Sequence, residues 1–405
     1  MNRSLMISAA AIAVLSCVGF TSAQDSSGSK ISFQKTVLDT LFRSEGVAVG
    51  DFNKDGRLDI GAGSVWYEQP AQAGGKWELR LTGEKAPEYD PHNYSHAFQT
   101  FADDLSGDGW SDLIVVDWPG SKTYWLENPQ KPATVWKEHL LTPVTNNESP
   151  QFLDVDGDGK LDLLAAFAPD PKNFDGPERR MGFMTRKSDP AQPWTIHPVS
   201  APGAPSTNRY SHGLGLGDIN GDGRKDILAP QGWWEAPSPG PSGEWKFHAA
   251  PLGQDCAQMY AFDFDGDGDN DVLSTAAHRV GMWWHEQQPE GKWTTHQIDD
   301  SITQTHSLML ADISGDGLPD FVTGKRWWAH GPQGDVRPGD PAVVAWYELR
   351  RSKSGGRPEW TQHLIDHDSG VGTQFEVADV NRDGLLDVIT SNKKGVHYFE
   401  QARSR

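Results

Sequence analysis

Short apolar runs broken by turn residues recur along this chain in a nearly constant order. Within residues 211–252, Leu214 and Leu216 alternate with glycines, the two-residue period of a strand. A short strand follows at Ile227-Leu228-Ala229-Pro230, a third at Trp233-Trp234-Glu235, and a fourth begins at Trp245-Lys246-Phe247-His248. These are strands A to D. Strand C reappears as Trp66-Tyr67-Glu68, Trp125-Leu126-Glu127, Trp283-Trp284-His285-Glu286, Trp346-Tyr347-Glu348 and Tyr398-Phe399-Glu400. Strand D reappears as Trp-x-x-His at Trp136/His139, Trp194/His197, Trp293/His296 and Trp360/His363. Four short aromatic-rich strands per period predict a propeller blade.

The connection from A to B carries the strongest repeat. The pattern Asp-x-Asp/Asn/Ser-x-Asp-Gly-x-x-Asp occurs seven times, starting at Asp51, Asp104, Asp154, Asp218, Asp263, Asp312 and Asp379. Its mean spacing of about 55 residues suits one blade per copy. The expected fold is therefore all-β: a single seven-bladed propeller of four-stranded blades over residues 31–405. The seventh unit stops after its strand C, at Glu400. Phe33-Gln34-Lys35-Thr36-Val37-Leu38 resembles Trp360-Thr361-Gln362-His363-Leu364-Ile365. Residues 31–40 are thus expected to close the ring as the outer strand of the last blade, which removes an open edge.

Alternate oxygen-bearing side chains on a tight turn suit calcium, and glycine at position six permits the turn. The first copy offers Asp51, Asn53, Asp55 and Asp59, and the second Asp104, Ser106, Asp108 and Asp112. The third and fourth offer Asp154, Asp156, Asp158, Asp162 and Asp218, Asn220, Asp222, Asp226. The remaining three offer Asp263, Asp265, Asp267, Asp271; Asp312, Ser314, Asp316, Asp320; and Asp379, Asn381, Asp383, Asp387. Up to seven calcium ions are expected. Their role would be structural, tying strand A to strand B.

With these loops in register, the chain resembles the FG-GAP/VCBS repeat proteins, whose integrin-like propellers carry the same loops between strands A and B. The resemblance covers nearly all of residues 31–401 and implies a seven-bladed propeller with calcium on one face, here the bottom. That family includes adhesion modules, lectin-like modules and enzymes, so the resemblance implies no single activity. The chain is also loosely similar to the propeller part of aldos-2-ulose dehydratase-like proteins and to propeller lyases acting on sugars. The cupin domains of the former have no counterpart in this sequence.

Composition adds limits. The formal net charge is −20, and no basic stripe suited to nucleic acid is visible. Arg3, the apolar run Leu5–Phe20 and Thr21-Ser22-Ala23 read as a secretory signal over residues 1–23, followed by a linker at 24–30. A secreted or periplasmic location is expected, with a lipoprotein box at Val14-Leu15-Ser16-Cys17 as the lesser alternative. Removal of Cys17 would leave Cys256 alone, so no internal disulfide is expected.

If the A–B turns lie at the bottom, the D–A and B–C connections lie at the top. The longest of these, 167–180 and 331–341, are B–C connections, and insertions on one face point to a binding face. Six residues before the motif stand Glu45, Glu148, His212 and His306; His96 stands eight before. Beyond strand B stand Asp117, Gln231, His278, Lys325, Arg326 and His330, with Trp118 and Trp328 nearby. The histidines of strand D, with His285 and His397, read as packing elements.

Two function classes fit the remaining group. The first is a carbohydrate lyase or dehydratase working by β-elimination. There His96, His212, His306, Glu45, Glu148, Lys325 and Arg326 supply base, acid and oxyanion stabiliser, while Asp117, Gln231, His278, Trp118, Trp328 and His330 bind substrate. A transition metal such as zinc, held by histidines and a glutamate, would suit that chemistry. The second is a non-catalytic module gripping a glycan or a protein through the same top loops.

Overall fold

A computed structural model describes residues 30–404 apart from 132–134, 239, 242, 244 and 352–355. The expected signal, Cys17 and linker residues 24–29 lie outside the described residues. The fold is an all-β propeller with four-stranded blades. In the first unit the strands are Ala48–Gly50, Asp59–Ala62, Val65–Glu68 and Glu78–Leu81, hydrogen-bonded in that order. The same A-B-C-D order recurs through every later unit. Strand Lys30–Asp39 pairs antiparallel with Gly395–Ser404, Phe33 opposite Gln401 and Val37 opposite His397. The N-terminal strand therefore completes the last unit, as its sequence pattern predicts. No helix among the described residues is long and apolar enough to cross a membrane.

The expected count of seven separate blades is not met. Five four-stranded sheets stand alone, and the fourth and fifth units share one eight-stranded sheet. Their inner strands, Leu214–Gly217 and Gln258–Phe262, pair in parallel through Leu214/Gln258 and Gly215/Met259. Glycine allows this approach. A Cβ on Gly215 would lie 2.1 Å from the Met259 carbonyl oxygen, and one on Gly217 would lie 2.5 Å from the Ala261 Cβ. The run Gly213–Gly217 thus serves close strand packing. Elsewhere an inner edge is sealed by glutamine: Gln374 accepts from the Val47 N–H at 2.9 Å and donates to the Val47 carbonyl at 2.7 Å. Gln258 likewise accepts from Leu308 N at 2.9 Å.

The core lies between neighbouring units. Leu214 of the fourth unit is buried with Leu164 and Phe183 of the third, and Leu308 of the sixth with Leu273 of the fifth. Strands C and D are clamped by a repeated trio. His139 stacks on Trp125 at 4.3 Å and bonds Glu127 at 2.6 Å. His248 repeats this with Trp233 and Glu235, and His296 with Trp284 and Glu286. These histidines are packing elements, and the Trp-x-Glu of strand C exists to receive them.

Candidate functional site

At the bottom, each loop turns on its sixth-position glycine, for instance Gly56 at φ 87° and Gly384 at φ 87°. The ninth aspartate is buried and bonds backbone. Asp59 accepts from Phe52 N at 3.0 Å and from Gln69 N at 2.9 Å, so one carboxylate ties the loop to the end of strand C. Asp112, Asp226, Asp271, Asp320 and Asp387 make equivalent pairs of bonds. Burial, with other loop aspartates adding to it, pushes Asp59, Asp112, Asp162, Asp271 and Asp320 up to about 7 against their backbone donors. In the third and fifth loops, Asp154/Asp156/Asp162 and Asp263/Asp265/Asp271 each offer oxygens within 4.8 Å of one another. The other five loops carry Asn or Ser at position three. This all-oxygen donor set fits a hard cation such as calcium.

At the top, residues from five units meet in one buried knot. His212, Glu148, Glu45 and His306 enter from D–A connections, and His278 and Arg326 from the ends of strand B. His212 Nε2 lies 2.8 Å from His278 Nε2, 3.1 Å from His306 Nε2 and 3.3 Å from Glu148 Oε2. His306 Nε2 lies 3.3 Å from the same Glu148 oxygen and accepts from Arg326 Nη1 at 3.0 Å. Arg326 Nη2 pairs with Glu45. Glu45, His306 and Arg326 are each no more than 2% exposed. The channel is thus narrow enough here for residues of opposite units to touch.

The charges are arranged in opposition. Burial works against the Glu148 carboxylate, yet the His212 and His306 imidazoles hold it well below the usual range. Burial also opposes the His212 cation, but Glu148 outweighs it and the pKa is raised. For His306, burial and the adjacent Arg326 act together and drive it well below its ordinary value. Burial raises Glu45 despite Arg326 and Lys393.

Three converging imidazoles are a metal-ligand pattern, and Glu148 Oε2 stands beside two of them. The three imidazole nitrogens all lie within 4.8 Å of one another. A neutral imidazole has one N–H, so of two facing Nε2 atoms at least one presents a lone pair. Loss of the His212 Nε2 proton, with Arg326 Nη1 turned away from His306, would present three imidazole nitrogens together, a donor set suited to zinc or a similar ion.

Several expected residues are placed elsewhere. His96 is 71% exposed in the connection before strand Gln99–Asp103 and bonds Asp117 at 2.8 Å at the rim, outside the knot. Lys325, though buried, turns its ammonium to the Arg337 carbonyl in the 331–341 connection and anchors that loop. Gln231 is exposed and bonds Ser206. Trp118 lies at the rim, 4.3 Å from the Tyr94 ring, and donates to the Tyr210 hydroxyl at 3.2 Å. Trp328 sits at φ 59° against Trp327, and His330 bonds Asp335 at 2.9 Å. Both Trp328 and Tyr210, at φ 62°, are bulky side chains held in the left-handed region, where strain gathers at functional sites.

Three residues were missed. Lys393 is 5% exposed, donates to the Trp328 carbonyl at 3.0 Å and lies over the Tyr94 ring at 4.7 Å; burial lowers it to about 8 against the pull of Glu45. Lys393 and Arg326 both stand six residues past the last motif aspartate, one step beyond the register of Asp117, Gln231 and Lys325. Tyr94 and Asp335 lie in irregular connections, where no register reaches them.

Comparison with known proteins adds one family. The profile of a family described as an FG-GAP-like repeat matches residues 104–165 and 263–323. No curated protein matches. Among solved structures, an Agrocybe aegerita lectin described as recognising non-reducing terminal N-acetylglucosamine aligns over 79% of this chain and 85% of its own, at 13% identity and TM-score 0.46. The V. cholerae biofilm matrix protein Bap1 aligns over 82% of this chain at 17% identity and TM-score 0.34, and the chain spans 44% of its length.

Proposed function

The chain is an FG-GAP repeat propeller protein, and on that premise we propose that its top knot is a transition-metal centre that binds a carbohydrate. The carrying observation is the convergence of His212, His278 and His306 nitrogens, with Glu148 beside two of them, at a buried cluster on the axis. A bound metal would supply a Lewis acid for a sugar hydroxyl or carbonyl oxygen. The chain's own residues would do the rest. Tyr94, Trp118 and Tyr210 offer ring faces at the mouth, and Arg326 and Lys393 offer charge beneath them. Binding without turnover is the primary reading.

One observation favours a second reading, elimination. Lys393, lowered to about 8, has a neutral fraction at neutral pH and sits beside the pocket. As base it would take a carbon-bound proton while the C–O bond opposite breaks, a C=C bond forms and the leaving oxygen takes a proton. Metal analysis and calorimetry against a panel of neutral and acidic glycans test both readings. Glycan binding with no unsaturated product supports the module, and an unsaturated product supports the lyase. No transition metal and no glycan binding would end both.

We propose further that the aspartate loops hold calcium and that the protein is exported. The eight-stranded sheet is read as two blades, giving seven. Melting with and without a calcium chelator tests the loops, and cell fractionation tests export.

A further inference from the structure

We propose that Asp335 is a positioning residue that fixes the tautomer of His278 and so turns its Nε2 lone pair into the top centre; this rests on the metal-centre reading. Of the two His278 ring nitrogens only Nε2 makes a hydrogen bond; Nδ1 is buried without one and stands at ion-pair distance from Asp335. Its Nε2 faces His212 Nε2 at 2.8 Å, and its Nδ1 faces Asp335 Oδ1 at 3.4 Å. A lone pair on Nδ1 would oppose the lone pairs of a carboxylate, so Nδ1 carries the proton and Nε2 does not. A carboxylate behind a ligating imidazole is the usual way such a ring is oriented. His306 reaches the same tautomer by another device, because Arg326 Nη1 has only a proton to offer its Nε2 at 3.0 Å. Arg326 thus already occupies the His306 lone pair and a metal must displace it, whereas the His278 lone pair faces only the His212 ring.

Asp335 is built to hold this position. Its side chain is 5% exposed, and its second oxygen takes His330 Nδ1 at 2.9 Å. The surrounding loop is tied down on both sides of the site. Lys325 holds the Arg337 carbonyl, Gln304 Nε2 donates to the Val336 carbonyl at 3.2 Å, and Arg337 Nη2 donates to the Ser301 carbonyl at 3.0 Å. This explains what the 331–341 insertion does: it delivers one carboxylate to the back of a ring contributed by the preceding unit.

The test uses full-length protein, cobalt(II) as the probe, and the variants Asp335→Ala, Asp335→Asn and His330→Ala. Nitrogen-15 shifts of His278 in metal-free wild-type protein should report protonated Nδ1 and bare Nε2. Asp335→Ala should mix the tautomers and weaken cobalt binding about 10- to 100-fold, with altered visible bands. Asp335→Asn, which keeps an oxygen facing Nδ1, should recover most of that loss, and His330→Ala should leave the His278 tautomer unchanged. A His278 protonated on Nε2 in the wild-type protein overturns the inference whether or not cobalt binds. So does an Asp335→Ala variant with wild-type cobalt affinity and bands. Wild-type protein that binds no cobalt but shows the expected tautomer sinks the metal reading, and the metal-directed role of Asp335 with it, through a different result.

Discussion

At the aspartate-loop end, near-copies of one turn repeat the same bonds around the ring; at the opposite end, one register position holds Glu45, Phe98, Glu148, His212, Ala257, His306 and Thr373 in turn. Asp59, Asp226 and Asp320 hold equivalent backbone donors in three units. At the corresponding top positions His212 and His306 bond each other, and Glu45 pairs with Arg326. Repetition answers a local need, because every blade must join strand A to strand B. A site on the axis is shared by all units, so each can supply a different group. The electrostatics differ too. Bottom carboxylates crowd one another, and the top ones face Arg326, Lys393 and imidazoles.

The largest expected effect breaks the bottom pattern. Asp320→Ala leaves the buried Leu349 and half-buried Ser314 N–H groups without their acceptor, at a cost of about 3 kcal/mol for the two. The urea midpoint should fall accordingly, while transition-metal content per folded protein stays at the wild-type level. A somewhat smaller loss, about 2 kcal/mol, is expected for Gly215→Ala, whose Cβ would press on the Met259 carbonyl.

A pH series sharpens the contrast. Metal-free, the ninth aspartates, at about 7 for Asp59, Asp112 and Asp320 and about 6 for Asp226 and Asp387, lie above an unfolded carboxyl of about 3.9, so the native state binds more protons between those values. Stability of chelated protein should therefore fall as pH rises toward about 7, then level off. Saturating calcium should flatten that slope; a slope unchanged by calcium would contradict the loop assignment. The smallest effect belongs to His96→Ala at the exposed rim, expected to shift stability by less than about 0.5 kcal/mol and to leave metal content alone.

Much of this fold was legible because its determinants are periodic. The aspartate motif marked every A–B turn, and Phe33–Leu38 announced the closing strand. The Trp-x-x-His repeat identified its histidines as packing groups. Counting six back from the motif found Glu45, Glu148, His212 and His306, because strand A carries its period to the rim. The same counting failed beyond strand B. Lys325 and Lys393 exchange importance over a single residue step, which flips a side chain to the other face. Tyr94 and Asp335 sit in connections with no period at all. The fused fourth and fifth units followed from glycines that the sequence displays, but a parallel pairing between them depends on contacts across 44 residues, Leu214 to Gln258.

The most direct measurement is transition-metal content of purified wild-type protein beside the His212→Ala/His306→Ala double variant, with calcium-dependent melting recorded on both. The account predicts about one transition metal per wild-type chain, none in the variant, and the same calcium-dependent rise in melting temperature for each. Equal metal content in the two proteins, or none in either, would contradict it.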